Sequence, residues 1–244
     1  MVPFARPLAA IAMALAAMAT ARAQDTAVDA ELCLAADGSG SISDEEFRFQ
    51  REGYAAAIAD ARVMDVIGAG YRGRIALAYM EWGGASSMEE IVSWRVIDGP
   101  EAARAFGDAL VAAPRRTVGW NSISNAIAFC HDWIETNSYD SQRRIIDVSG
   151  DAGQRGGMPL AEARQQAIAD GITVNALALN FRGGGLTGPG GGPLIRHFER
   201  DVIGGPSAFA LGVDSAGRFV EALVRKLILE LAEAGDPGGA HRPE

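Results

Sequence analysis

An open, mostly parallel α/β sheet, with helices on both faces and one antiparallel edge strand, is the fold class that this 244-residue chain predicts. Three observations carry the expectation. Apolar strand-like runs alternate with helical patterns along the chain. One pair of strands is separated only by GGASSM and should form a hairpin, while the others are joined through helices and should pair in parallel with right-handed crossovers. No linker or repeat divides the chain, so one layered domain is expected.

The elements follow in order. Strand-like runs are ELCLAAD (31–37), GRIALAYMEW (73–82), EEIVSWRVI (89–97), RRIIDVSG (143–150), ITVNALAL (172–179) and SAFALGV (207–213). Helical patterns fall at about 44–60, 100–112, 121–136, 158–170, 193–202 and 214–233. The first helix has a sharp start, because Ser43 and Glu46 fit a capping box and Phe47, Tyr54 and Ile58 recur at helical spacing. Residues 1–23 are set apart as a secretory signal, with Arg6, an apolar core and Ala21-Arg22-Ala23 before Gln24. Its core is too short to span a bilayer, and no later stretch approaches the roughly 20 apolar residues a membrane helix needs. The expected organisation is a signal over 1–23, a domain over 29–233 and a disordered tail over 234–244, with the mature chain exported.

Cleavage removes Arg6 and Arg22, so the formal charge falls from −9 to −11. An acidic surface disfavours nucleic acid and anionic lipid and suits cations and basic protein patches. Lys226 is the only lysine and maps to no patch, so it is ascribed to coding bias. Cys33 and Cys130 both fall in buried elements. Export permits a disulfide between them, and the reading taken is two buried thiols, because sequence does not show that they meet.

The segment from Asp37 to Ser43, DGSGSIS, ends a strand and feeds a helix amino terminus. In open α/β sheets that edge binds ligands, above all where the strand order reverses. A phosphate loop would need a lysine there, and none is near. Gly68-Ala-Gly70-Tyr-Arg-Gly73 precedes a strand rather than following one, so it is not a dinucleotide fingerprint, and RGGGLTGPGGGP (182–193) reads as a surface loop. Neither Ser39 nor Ser149 fits a nucleophile elbow. His131, His197 and His241 read as surface histidines, none at a strand end where a general base would be expected.

Hard-cation binding remains. Asp37, Ser39 and Ser41 stand at alternate positions and can aim three oxygens at one point, with Gly38 and Gly40 letting the backbone bend closely. Asp151 follows the fourth strand, and Asn121, Ser122 and Ser124 open a helix, so three loops bring oxygen donors to one rim. Asp147, inside the fourth strand, needs a buried partner. Glu81 and Trp82 end the second strand near the same rim, where Trp82 reads equally as packing.

With these residues in place the chain resembles the von Willebrand factor type A domain, and within that fold a bacterial group of exported proteins of unassigned function. FQREGYAAAI (49–58), YMEW (79–82), IDVSGD (146–151) and VIGGPSAFAL (202–211) carry the closer likeness, which spans about Asp29 to Ala232. The resemblance implies a metal-ion-dependent adhesion site. Asp37 and Asp151 would reach the ion directly or through water, and Ser39 and Ser41 would be hydroxyl ligands. The family's threonine maps to Asn121, whose carbonyl oxygen can substitute, with Ser122 as another replacement. The ion would be Mg²⁺, with Mn²⁺ or Ca²⁺ as alternatives. The implied role is a non-enzymatic module binding a protein that presents Asp or Glu. A metal-free scaffold and a metal-assisted hydrolase are the other readings.

Overall fold

The computed structural model describes residues 25–40, 42–181 and 187–232. The signal at 1–23, Ser41, His241, the tail from 234 and the first part of the glycine-rich run lie outside the described residues. The strands are β1 (Thr26–Ala27), β2 (Glu31–Asp37), β3 (Ile75–Trp82), β4 (Met88–Ile97), β5 (Tyr139–Asp140), β6 (Arg144–Gly150), β7 (Ile172–Leu179) and β8 (Ala210–Val213). The helices are α1 (Asp44–Ile58), α2 (Ala61–Ala69), α3 (Pro100–Ala112), α4 (Ile123–Glu135), α5 (Leu160–Ala169), α6 (Leu194–His197) and α7 (Phe219–Ala232).

Six strands form one sheet in the order β4-β3-β2-β6-β7-β8, with β3–β4 antiparallel and every other neighbour parallel. β2 and β6 are adjacent, yet the chain leaves β2 toward β3 and leaves β6 toward β7. The strand order therefore reverses between them, which opens a crevice above their carboxyl ends. β2 is buried along its whole length, as its unbroken apolar run requires of a strand covered on both faces. One face packs on α1, α2, α3 and α7 through Tyr54, Val63, Phe106 and Phe219, and the other packs on α4, α5 and α6 through Ile127, Ala163 and Leu194.

The predicted fold class is the observed one. The capping box is present, with Glu46 N–H donating to Ser43 Oγ and Ser43 N–H donating to the Glu46 carboxylate. The expected single helix over 44–60 is broken. Asp60 accepts from Arg62 N–H at 2.9 Å and starts α2, which the sequence reading did not name. The parallel pair β1–β5 was also missed, because two residues carry no period. The helix expected over 193–202 is α6 followed by one π-helical turn, Phe198–Val202.

Two expectations are corrected in the interior. Cys33 and Cys130 are joined in a disulfide with Cα atoms 6.0 Å apart, not left as thiols. The bond ties β2 to α4, neighbours in space that lie 97 residues apart in sequence. Lys226 is not an accident of composition. It is fully buried on α7, with Nζ 2.7 Å from Asp147 Oδ1 and paired to Glu230 as well. Asp147 thus has the buried partner that its place in the strand calls for, a cation from helix α7. Asn175 Nδ2 donates to Glu230 at 3.0 Å and completes the cluster.

Candidate metal site at the carboxyl edge

Asp37 is the last residue of β2, and its carboxylate is fully buried. Gln50 on α1 fixes the strand end by donating to the Asp37 carbonyl at 3.0 Å. The loop then turns back on the side chain. Ser39 N–H donates to Asp37 Oδ1 at 2.8 Å, and the Ser39 hydroxyl bonds the same carboxylate. Across the crevice, Asp151 N–H lies 3.5 Å from Asp37 Oδ2, at the long limit for a hydrogen bond. Burial first, and the charge of Asp151 second, push the Asp37 carboxyl up to about 7. Two carboxylates from adjacent strands therefore converge, and no basic side chain pairs with Asp37 among the described residues.

The third loop joins both of the others. Gly40 N–H donates to Gly119 O at 3.0 Å, and Arg155 N–H donates to Asn121 O at 2.6 Å. Asn121 is buried, has a φ of 30°, and leaves Nδ2 with no hydrogen-bond partner. A non-glycine residue at positive φ and an orphaned buried amide are both costly, and both occur where the fold holds a residue for a local purpose. The structure thus brings Asp37, Ser39, Asp151 and the loop of Asn121 to one rim, and Ser41 lies outside the described residues. Ser122 and Ser124 serve locally. Ser122 Oγ points to Gly156 O at 3.4 Å, and Ser124 N–H and Oγ both bond Gln154.

Several residues that build the rim were not foreseen. Arg115 inserts its guanidinium beneath the Asp37 loop, donating to the carbonyls of Gly38, Ser39 and Ile42 at 3.3, 3.1 and 2.9 Å. It also pairs with Asp44 at 2.7 Å. Thr117 Oγ1 donates to Gly38 O at 2.9 Å, and a Cβ on Gly38 would collide with that hydroxyl. Gly40 has no such constraint, since a Cβ there would meet only Gly119 O at 3.7 Å. Glu81 is buried in a bidentate pair with Arg51, at 2.7 and 3.0 Å, and contributes no exposed surface. Trp82 is fully buried, donating to Ala35 O at 3.0 Å, so packing is its role. His197 is buried rather than on the surface. Its Nε2 accepts from Gln154 N–H at 3.3 Å, which leaves Nδ1 as the donor to Asp201 at 2.7 Å.

The donor set fits a hard divalent cation. The donors brought together are carboxylates and a hydroxyl, with the loop of Asn121 beside them, and the converging charges of Asp37 and Asp151 are what such an ion would neutralise. Among the described residues, no group of three His, Cys, Asp or Glu side chains could hold a metal ion, so a site here needs the hydroxyl and amide oxygens as well.

The comparisons agree with the fold. The proximal thread matrix protein 1 of the mussel byssus, in a structure with a zinc-occupied MIDAS motif, is 15% identical with a TM-score of 0.60; the match covers 86% of this chain and 50% of that one. The pilus adhesin SpaC of Lactobacillus rhamnosus GG is 12% identical at a TM-score of 0.59, over 85% of this chain and 31% of that one. A von Willebrand factor type A structure from Catenulispora acidiphila is 12% identical at 0.57, over 85% and 43%. The chain thus spans half or less of the length of these solved chains, and at such identities the likeness is one of fold. No curated protein matches it. The family model described as "Protein of unknown function (DUF1194)" matches residues 27–235, and the chain, with its von Willebrand type A-like fold, belongs to that family.

Proposed function

We propose that this chain is an exported protein-binding module that uses a divalent cation at the carboxyl edge of its sheet to engage an Asp or Glu of a protein partner. The observation that carries the reading is the convergence of Asp37 and Asp151 at the strand-order reversal, with Ser39 bonded to Asp37. Asp37, Ser39, Asp151, Asn121 and, from sequence, Ser41 would hold the ion. When bound, the ion neutralises the two carboxylates and offers a position to a carboxylate from outside. Its hardness favours Mg²⁺, Mn²⁺ or Ca²⁺.

We read the site as binding rather than catalytic. His131 pairs with Asp170, and His197 is held by Asp201 and Gln154. Export is supported by the signal-like residues 1–23 and by the Cys33–Cys130 disulfide, which suits an oxidising compartment. No helix among the described residues is long and apolar enough to cross a membrane. One observation favours a second reading, a metal-free scaffold: Asn121 stands at the threonine position with its amide nitrogen unpartnered.

Calorimetric titration of the metal-stripped mature domain with Mg²⁺, Mn²⁺ and Ca²⁺ decides between them. Zn²⁺ is included because it occupies the motif in the byssus protein. Saturable binding that is lost in Asp37→Ala and in Asp151→Ala is expected. No binding by the unmodified domain would leave the scaffold.

A further inference from the structure

The segment from Arg115 to Asn121 has two edges. Arg115, Thr117 and Asn121 turn inward, where the first two hold the Asp37 loop and the third lies at the rim. The residues between them turn outward. Arg116 is exposed, Val118 is 67% exposed and Trp120 is 62% exposed. Burial thus alternates along the segment, with one side spent on the site and the other presented to solvent.

The outward side chains stand on a braced support. Gly84 N–H donates to Val118 O at 2.8 Å, Val118 N–H to Ser87 Oγ at 2.9 Å, and Gly40 N–H to Gly119 O at 3.0 Å. A Cβ on Gly83 would collide with the Val118 carbonyl, and Gly119 needs its φ of 88°, so the three loops meet backbone to backbone. A loop held this firmly keeps a tryptophan and a valine exposed to water. Tryptophan and arginine on rigid supports are the residue types that dominate binding surfaces.

Charge selects the occupant. Arg116 on this segment and Arg155, whose N–H bonds Asn121 O, are both exposed, and neither guanidinium has a carboxylate partner among the described residues. Both arginines stand on segments that border the rim, so the same face of a second copy would bring like charges together, whereas an acidic segment meets opposite charge.

We propose that Arg116, Val118, Trp120 and Arg155 form the specificity arm of the edge site, and that it takes an extended, acidic protein segment. In that segment one carboxylate goes to the ion, large apolar side chains at alternate positions cover Trp120 and Val118, and a further acid meets the arginines. The assignment rests on the cation reading above for the first carboxylate alone.

The test uses the mature domain and three fluorescent glycine-serine peptides, with titrations in Mg²⁺ and in EDTA. The first peptide carries one Asp. The second adds Leu and Phe at alternate positions, and the third adds a further Glu. The expected order of affinity is third, second, first. Trp120→Ala should weaken the second and third by about thirtyfold, the range of a binding hot spot. It should leave the first peptide and the Mg²⁺ calorimetry unchanged, and Arg116→Gln with Arg155→Gln should erase only the preference for the third. An unchanged ranking in Trp120→Ala, or no capture of any peptide by a domain that binds Mg²⁺, overturns the proposal. Trp120-dependent capture of a neutral oligosaccharide in place of the peptides overturns the protein partner. A ranking that survives EDTA overturns the cation reading and upholds the arm.

Discussion

Asp147, in the middle of β6, and Asp37, at the end of the adjacent β2, are both carboxylates that the fold removes from water, and their surroundings differ in kind. Asp147 meets Lys226 at 2.7 Å, and Glu230 shares the same ammonium, so the chain supplies its own cation. Asp37 meets a second carboxylate, Asp151, and its partners are Ser39 and backbone N–H groups. Burial raises both acids above the ordinary range, but among the described residues a neighbouring cation pulls back only at Asp147. The difference teaches where the molecule closes its electrostatics and where it leaves them open. A buried acid with its own lysine is architecture; a buried acid facing another acid at the mouth of a crevice is where the proposed cation would supply the compensating charge.

Removing the internal cation is the strongest way to break this contrast. Lys226→Met leaves Asp147 and Glu230 without compensation and should cost about 3–5 kcal/mol in urea unfolding at pH 7.5. Much of that loss should return as the pH falls, because burial raises both carboxyls and, without the ammonium, favours their protonated forms. A loss within the scatter of ordinary surface variants would mean that the triad is not what stabilises this face.

Asp37→Asn should act in the opposite direction. The folded carboxyl titrates near 7 against an ordinary 3.8, so the folded state binds the proton more tightly than the unfolded chain does. Stability of the metal-stripped domain is therefore fully present below about 4 and declines as the pH rises toward 7. Asp37→Asn should flatten that decline and stabilise the stripped domain at pH 8 by on the order of 1 kcal/mol, while abolishing the response to Mg²⁺. Destabilisation at pH 8 without metal would place Asp37 with Asp147, as a structural acid.

Thr117→Val gives the smallest and most discriminating effect. It removes one buried hydrogen bond to Gly38 O and should cost about 1 kcal/mol, with Mg²⁺ binding weakened but retained. Loss of binding as complete as in Asp37→Asn would move Thr117 from a brace into the ligand set.

Much of the layout is legible in the sequence itself. Alternating apolar runs and helical stripes, the six-residue hairpin loop and the Ser43–Glu46 cap placed the sheet and the site on its carboxyl edge, because periodicity and capping act over a few residues. The spacing of Asp37 and Ser39, and the place of Asp151 one residue past its strand, carried the candidate site for the same reason.

What tertiary structure alone decided is every pairing made across the chain. Arg115 and Thr117 carry no local mark that they will grip the carbonyls of residues 38–42, and Asn121 does not announce a φ of 30°. Cys33 meets Cys130 only because β2 lies beside α4, and Lys226 reads as an ordinary helix lysine until α7 packs over Asp147. His197, taken for a surface residue, is buried because the loop after β6 folds over it. A short-range pattern specifies which elements form and which face they bury. Whether a charge is answered from within or left for a partner depends on which distant side chains the packing brings beside it, and that is a property of the assembled sheet and its two helical layers.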